Sequence, residues 1–171
     1  MRVITERAAP MRTRLLPLIL VCIAAPGCSF EVETDSDSDA QSAVENMLAE
    51  SAVAWNEGRL DGFMDDYVES PGTTYIGSGG LLVGYEAIRD RYAPLFEPGS
   101  QRDSLRFEDV RVRRLAAIEA IATARWVLHR GGEITGSGPF TLVLRHTSGG
   151  WKIIHDQSSS DPAPPPADEP S

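Results

Sequence analysis

Apolar and polar residues between Ala40 and Tyr92 recur mostly at helical spacing, which predicts three helices. The first is predicted to begin after Asp37 or Asp39 as N-cap and to end at Asn56 and Gly58. Its apolar stripe consists of Val44, Met47, Leu48, Ser51 and Trp55.

A second, shorter helix is predicted to follow at once and to end before Pro71, because its apolar residues fall at i, i+3, i+4 and i+7. These residues are Leu60, Phe63, Met64 and Tyr67, while Asp61, Asp65 and Asp66 are assigned to the solvent side. The third helix runs from Tyr85 to about Tyr92 and is closed by Pro94.

Strands account for most of the remaining pattern. The segment TTYIGSGGLLVG predicts a short hairpin between the second and third helices. Four longer strands are predicted in SLRFEDVRVRRL, AIATARWVLHR, FTLVLRH and WKIIHDQS, which form an antiparallel meander. In the first of these, the alternation slips by one residue near Glu108 and Asp109, which indicates a β-bulge that bends the strand.

Helices followed by a long bulged sheet indicate an α+β fold. Three N-terminal helices are expected to pack on the concave face of a curved, bulged antiparallel sheet. This cone-shaped arrangement predicts a pocket between the sheet and the helices. The folded domain is assigned to residues 40–160, and no internal repeat is found in it.

The chain has 171 residues, of which 42% are apolar and 24% charged, as expected for one globular domain. Its net charge is −9. Removal of residues 1–27 takes away four Arg and one Glu, which leaves 12 basic and 24 acidic residues and a net charge of −12. Such an acidic chain is not expected to bind nucleic acid.

The N-terminal segment has the pattern of an export signal. Arg12 and Arg14 precede an apolar run over 15–25 that is too short to span a bilayer, and the start lies at Met1 or Met11. Its end, APGC, resembles the lipobox of bacterial lipoproteins, in which the Cys, here Cys28, is lipidated. Ordinary secretory cleavage is the alternative.

The regions that flank the domain are polar. Residues 28–39 are acidic and serine-rich and are predicted to form a flexible tether, and residues 161–171 are predicted to form a disordered Pro-rich tail. Cys22 lies in the signal, so the mature chain can form no internal disulfide. The expected location is the cell envelope, as a lipoprotein on its periplasmic or extracellular face, or else outside the cell.

Several segments together resemble one family. These are AWNEGRLDGFMDDY, YVESPGTTYIGSGG with VGYEAIRDRY, RFEDVRV, ARWVLHR and PFTLVLRHTSGGWKIIHDQSS. They are similar to the SnoaL-like branch of the nuclear transport factor 2 superfamily, which is related to ketosteroid isomerase. The resemblance implies the cone-shaped fold and often a homodimer. It implies no single activity, because the superfamily contains isomerases, cyclases, dehydratases, transport adaptors and kinase association domains.

The isomerase reaction is disfavoured by the residue in the position of the base. Ketosteroid isomerase needs a carboxylate on the strand after the second helix, whereas Tyr75 stands there in this chain. A Tyr does not readily abstract a carbon-bound proton at neutral pH. Glu69 and Asp66 are the nearest carboxylates, and either would have to turn inward to replace the base.

His155 and Asp156 are neighbours on a predicted strand, so they are expected to face opposite sides and not to form a dyad. The face with Trp151, Ile153, His155 and Gln157 is assigned to the pocket, since it is apolar at its start. The family commonly ends in His-Asp-His, and Gln157 replaces the second His, which removes a titratable group.

The predicted pocket therefore contains Trp55, Tyr67, Tyr75, Trp126, Phe140, His155 and Gln157. His155 is the candidate acid or base. The sequence predicts no cofactor and no metal, because His129, His146 and His155 have no metal-ligand spacing. Ser158–Ser160 lack the context of a nucleophilic Ser, and GSGG is a turn rather than a phosphate loop.

Three functional hypotheses follow, and the sequence leaves open whether the chain is an enzyme. The first is an exported, lipid-anchored domain that binds a small apolar or carbonyl-containing molecule and contacts the membrane through its anchor only. The second is a SnoaL-type or isomerase-type enzyme in which His155 acts on a carbonyl compound. The third is a homodimeric assembly module that associates through its sheet.

Overall fold

The computed structural model describes residues 32–162 of the chain, and side chains from residue 37 onward. Its helices are α1 (Val32–Glu57), α2 (Leu60–Met64) and α3 (Tyr85–Tyr92), with a 3-10 turn at Ala93–Phe96. The fold is α+β, with N-terminal helices packed on a curved, open sheet, as predicted.

The first helix begins earlier than predicted. α1 starts at Val32, so its first turns include most of the acidic segment that the sequence assigned to a flexible tether. The helix ends as predicted, at Gly58, whose φ of 77° is the left-handed conformation of a helix C-terminus.

The sheet has six strands in the order β2-β1-β6-β5-β4-β3. The strands are β1 (Thr74–Gly77), β2 (Gly80–Val83), β3 (Ser104–Ala116), β4 (Glu119–Arg130), β5 (Glu133–Thr147) and β6 (Gly150–Ser158). The predicted hairpin and the predicted four-strand meander are both present. The sheet is not purely antiparallel, because β1 pairs with β6 in parallel and so joins the hairpin to the meander.

Register shifts occur in β3, β5 and β6, and two of them determine which residues of the site face inward. The predicted bulge in β3 is present: the register with β4 shifts between Glu108 and Arg111, and Asp109 has a φ of 55°. The other of these two bulges lies in β6, where Val143 pairs with His155 but Leu144 pairs with Ile153. One residue, Ile154, is therefore extra, and the inward and outward positions exchange after it.

Two amide side chains of α1 bind the free edge of β3. Asn56 accepts a hydrogen bond from the Leu105 N–H at 2.7 Å and donates one to the Leu105 carbonyl at 3.0 Å. Gln41 likewise accepts from the Val112 N–H at 2.7 Å and donates to the Val110 carbonyl at 2.8 Å. These two amide clips fix α1 across the bulged strand and satisfy peptide groups that have no neighbouring strand.

Aromatic side chains join α1 to the other helices. The rings of Trp55 and Phe63 meet edge to face at 5.2 Å between centroids, and Trp55 meets Phe96 in the same way at 5.3 Å. Tyr92 contacts Phe63 at 4.9 Å. On the sheet, the buried side chains of Ala122 and Ala124 leave space above β4. The result is a helical wall that stands over the sheet without filling the volume between them.

The processing signals lie outside the described residues. This applies to the predicted signal over 1–27, to Cys28 with the first residues of the tether, and to most of the Pro-rich tail. The domain extends one residue past its predicted end, because the Asp161 N–H donates to the Ser137 carbonyl at 2.8 Å and its carboxylate pairs with Arg125. Within residues 32–162, no helix is long and apolar enough to cross a membrane.

Candidate functional site

A cavity of about 250 Å³ lies between the helices and the concave face of the sheet. Each helix and five of the six strands contribute to its lining. Its apolar and aromatic lining consists of Leu48, Trp55, Phe63, Tyr67, Tyr75, Tyr92, Leu95, Leu105, Phe107, Trp126, Leu128, Phe140, Leu142 and Ile153. Its polar lining consists of Ser51, Ser78, Arg91, Asp156 and Ser158–Ser160. The interior is therefore mainly apolar, with few polar groups.

The structure places the five aromatic residues of the predicted site together on the cavity wall. They are Trp55, Tyr67, Tyr75, Trp126 and Phe140. They come from α1, from the segment after α2, and from β1, β4 and β5, so their proximity results from the fold rather than from local sequence. Tyr75 lines the cavity on the strand where the isomerase has its base, and Glu69 is exposed and outside the lining.

His155 and Gln157 do not line this cavity, and this part of the prediction is wrong. The bulge at Ile154 turns both of them to the outer face of the sheet. His155 hydrogen-bonds through Nδ1 to the Thr74 hydroxyl at 2.7 Å and lines a separate depression on that face. The Gln157 amide donates to the Ser159 hydroxyl at 2.9 Å. His155 therefore has no access to a molecule in the cavity.

Asp156 takes the inward position instead. Its side chain is buried at 5% exposure, and it accepts a hydrogen bond from the Tyr67 hydroxyl at 2.7 Å and one from the Ser158 hydroxyl at 2.9 Å. Burial raises the pKa of Asp156 above its ordinary value, while Tyr67, Ser158 and the nearby His155 oppose the increase. The carboxyl group is thus shifted toward its neutral form inside an apolar cavity.

Tyr67 and Tyr92 extend this polar group. Burial, and then the neighbouring Asp156, raise the pKa of each phenol well above its ordinary value, so both stay protonated. Tyr92 also lies close to the Tyr67 hydroxyl. A protonated Asp156 and the Tyr92 phenol can donate hydrogen bonds to a ligand oxygen, whereas the Tyr67 hydroxyl proton is already donated to Asp156 and an ionised Asp156 can only accept.

Sequence reasoning also missed Asp66, which it placed on the solvent side of a second helix that continued to Tyr67, whereas α2 ends at Met64. The Asp66 side chain is only 9% exposed, and its Oδ2 atom has no hydrogen-bond partner among the described residues. Burial raises the pKa of Asp66 to about 7, although a hydrogen bond with Ser51 and the charge of Lys152 oppose the shift. Ser51 itself lines the cavity, so this second buried acid lies directly behind the cavity wall.

The open end of the cavity, which we call the mouth, is formed by the exposed residues Ser78, Arg91, Leu95, Ser159 and Ser160. The segment that follows β6, Ser159 and Ser160, forms part of the mouth and is held in place by two contacts. The Trp126 indole donates to the Ser159 carbonyl at 3.0 Å. Gly138 makes this approach possible, since a Cβ there would overlap the Ser159 carbonyl oxygen. This segment therefore forms one wall of the mouth.

The described residues contain no group of three or more His, Cys, Asp and Glu side chains placed to hold a metal ion. The Asp65 and Asp66 side chains differ in environment, because Asp65 is exposed and Asp66 is buried.

The family of SnoaL-like domains matches residues 44–164, which include both the cavity and the sheet. The chain belongs to this family. A comparison of this SnoaL-like domain with curated proteins finds no match. An NTF-2-like protein of unknown function from Shewanella oneidensis MR-1 is 26% identical, with a TM-score of 0.62, and the match covers 69% of this chain and 97% of that one.

Two further solved structures are similar to the SnoaL-like domain in fold alone. A protein of unknown function with a cystatin-like fold from Nostoc punctiforme has a TM-score of 0.61 at 14% identity, over 72% of this chain and 92% of that one. A nuclear transport factor 2-like superfamily protein from Salmonella enterica has a TM-score of 0.58 at 15% identity, over 77% and 98%.

Proposed function

We propose that this SnoaL-like domain binds a small, largely apolar molecule that carries a carbonyl or hydroxyl oxygen. The observation that carries the proposal is the buried hydrogen bond of 2.7 Å between Tyr67 and Asp156 in a cavity otherwise lined mainly by apolar and aromatic groups. Ligand sites typically combine an apolar wall with a few placed polar groups. The volume of about 250 Å³ lies just below the range for drug-sized ligands, so the molecule is small.

The polar pair determines how such a ligand is held. The single Tyr67 hydroxyl proton is donated to Asp156, so the donor for a ligand is the Asp156 carboxyl, and its raised pKa extends the pH range in which it is protonated. A ligand oxygen can accept from the protonated Asp156 without breaking the hydrogen bond that Tyr67 donates to it, and both groups are buried. Such a hydrogen bond contributes more in this cavity than it would in water.

Binding can be measured through the fluorescence of Trp55 and Trp126, which line the cavity. We expect 2-acetylnaphthalene to bind about tenfold more tightly than 2-ethylnaphthalene, which lacks the oxygen, since one buried hydrogen bond contributes about 1.4 kcal/mol. Asp156→Leu, which can neither donate nor accept a hydrogen bond, should abolish this preference. His155→Asn on the outer face is the matched control and should not change it. Failure of both compounds to bind would contradict the proposal.

We also propose that the chain is exported and held at the cell envelope by a lipid on Cys28, its only contact with the membrane. The arginines before the apolar run and the APGC sequence support this. The mass of the N-terminal peptide of protein from the membrane fraction tests it. A diacylated peptide that begins at Cys28 is expected, and it should be lost in Cys28→Ser. An unmodified N-terminus beyond Cys28 would contradict the anchor.

A homodimer through the outer face of the sheet is proposed as the form in solution. Val143 and Ile154 lie half-buried on this face around the depression that contains His155. Sedimentation equilibrium should give twice the mass of one chain, and Val143→Arg should shift it toward the monomer. A monomer at all concentrations would remove this proposal and leave the cavity unaffected.

Proton transfer to a bound carbonyl compound is a second candidate function. The specific observation in its favour is the raised pKa of a buried Asp156 that also contacts Tyr67, an arrangement suited to an acid or base. Exchange of α-protons of 2-acetylnaphthalene with solvent deuterium, followed by NMR, tests it. Exchange above the uncatalysed rate that disappears in Asp156→Asn is expected, and exchange equal in both proteins would exclude it.

A further inference from the structure

The cavity lining has one positive and one acidic side chain within the described residues, and they differ in depth. Asp156 is buried at 5% exposure, whereas Arg91 is exposed and lies at the mouth. Everything between them is apolar, aromatic or hydroxyl-bearing. The cavity is thus polarised along its depth, with a guanidinium at the entrance and a hydrogen-bonded carboxyl inside.

Arg91 has no carboxylate within ion-pairing distance in the part of the chain that the structure describes. Its neighbour on α3, Arg89, pairs with Asp61 at 2.6 Å. The Arg91 guanidinium instead lies over the Tyr75 ring, 5.8 Å from its centroid. Contact with the face of a ring orients a guanidinium and leaves its N–H donors available at the edge of the plane. Arg91 is therefore positioned at the cavity by an aromatic wall residue.

The rest of the mouth supplies further donors. Ser78, Ser159 and Ser160 each carry a hydroxyl there, and the Ser159 oxygen accepts from Gln157, so its own O–H remains able to donate. A guanidinium surrounded by hydroxyl groups matches the geometry and charge of a carboxylate. The net charge of −9 makes the protein surface repulsive to anions in general, so an anion would be held by this local arrangement.

The two ends of the cavity favour different groups of one ligand. A carboxylate next to Asp156 would be desolvated beside another acid, which disfavours it there. A cation would gain from the aromatic rings, but Arg91 repels it at the entrance, and Asp156 already accepts from Tyr67 and Ser158. A ligand with an anionic group at the mouth, beside Arg91, and an uncharged body in the interior, beside Asp156, suits both ends of the cavity.

We infer that the ligand is a small organic carboxylate, whose apolar body fills the aromatic interior while its acid group pairs with Arg91 at the mouth. This inference rests on the proposed function and specifies its ligand class. It also assigns Arg91 as the residue that selects the charge of the ligand.

Isothermal titration of the full chain with three matched compounds tests the inference. They are 2-naphthylacetate, its neutral amide 2-naphthylacetamide, and the cation 2-(2-naphthyl)ethylamine. We expect the carboxylate to bind about tenfold more tightly than the amide, with the amine weakest, because only the acid forms an ion pair with the Arg91 guanidinium. The preference should decrease with added salt, since the pair is solvent-exposed.

Two arginine variants separate this selection from general electrostatics. Arg91→Gln should bring the affinity for the carboxylate to that for the amide and leave the amide unchanged. Arg89→Gln, which removes the same charge from the same helix, should keep the preference. A preference that survives Arg91→Gln, or an amide or amine that binds as tightly as the acid, would overturn the inference and leave the cavity proposal intact. Failure of all three compounds to bind would count against both.

Discussion

Replacement of Asp66 by Asn should stabilise the protein at neutral and alkaline pH. Asp66 is buried, one of its oxygens has no partner among the described residues, and its pKa is raised to about 7. The charged groups that face it are Lys152, which favours ionisation, and Asp65 and Glu50, which oppose it. Asn has nearly the same shape, can still bond to Ser51, and carries no charge at any pH.

The magnitude follows from the two pKa values. The pKa of Asp66 is about 7 in the folded protein and 3.8 in the free group. Full ionisation of Asp66 therefore destabilises the native state by roughly 4 kcal/mol. Because the folded pKa is the higher one, this contribution to stability is complete below the unfolded pKa and is lost as pH rises through the folded one. The loss is roughly 3 kcal/mol between about pH 5 and about pH 8.

Urea unfolding of both proteins across this pH range measures the effect. The free energy of unfolding of Asp66→Asn should exceed that of the parent by an amount that grows by roughly 3 kcal/mol from about pH 5 to about pH 8. Asp90→Asn is the control, since Asp90 is exposed and is not among the charges that face Asp66, and it should keep the pH dependence of the parent. A difference for Asp66→Asn that stays constant with pH, or that decreases as pH rises, would refute the reasoning.

Three further substitutions test other parts of the fold. Gly138→Ala should displace the Ser159 carbonyl and lower the free energy of unfolding by about 1–3 kcal/mol, with faster proteolysis after β6; unchanged proteolysis would contradict it. Asn56→Ala should cost about 1–3 kcal/mol in thermal unfolding, because both bonds to Leu105 are lost. Tyr67→Phe removes the hydroxyl that donates to Asp156 and lowers its pKa. The pKa of the Asp156 carboxyl, measured by NMR, should therefore rise further.

The helices, the hairpin and the β3 bulge could be predicted because the apolar pattern is strong on both sides of each feature. In β3, Leu105 and Phe107 define one phase and Val110 and Val112 the other, so the slip is visible. In β6, the residues beyond the bulge are polar. A run of polar residues does not show which face of a strand points toward the core. The register shift at Ile154 therefore could not be detected in the apolar pattern, and His155 was assigned to the inward face in place of Asp156.

The burial of Asp66 could not be predicted either, and for a related reason. Its backbone carbonyl accepts from the Ile153 N–H at 2.7 Å, which fixes the end of α2 beside β6. That contact joins segments far apart in sequence, whereas helical periodicity reports only local neighbours. Residues whose inward direction depends on such long-range contacts, Asp66 and Asp156, are the two buried acids of the site. The two acids of the site are therefore the residues whose direction the apolar pattern of the sequence predicts least well.

The two amide clips of α1 have a consequence for self-association. β3 is an end strand of the sheet, and an end strand with free peptide groups can recruit a strand from another molecule. Gln41 and Asn56 occupy those groups at three positions along β3, at Leu105, Val110 and Val112. Loss of both side chains would thus expose a template for intermolecular β-pairing, so α1 protects this edge of the sheet as well as packing on its face.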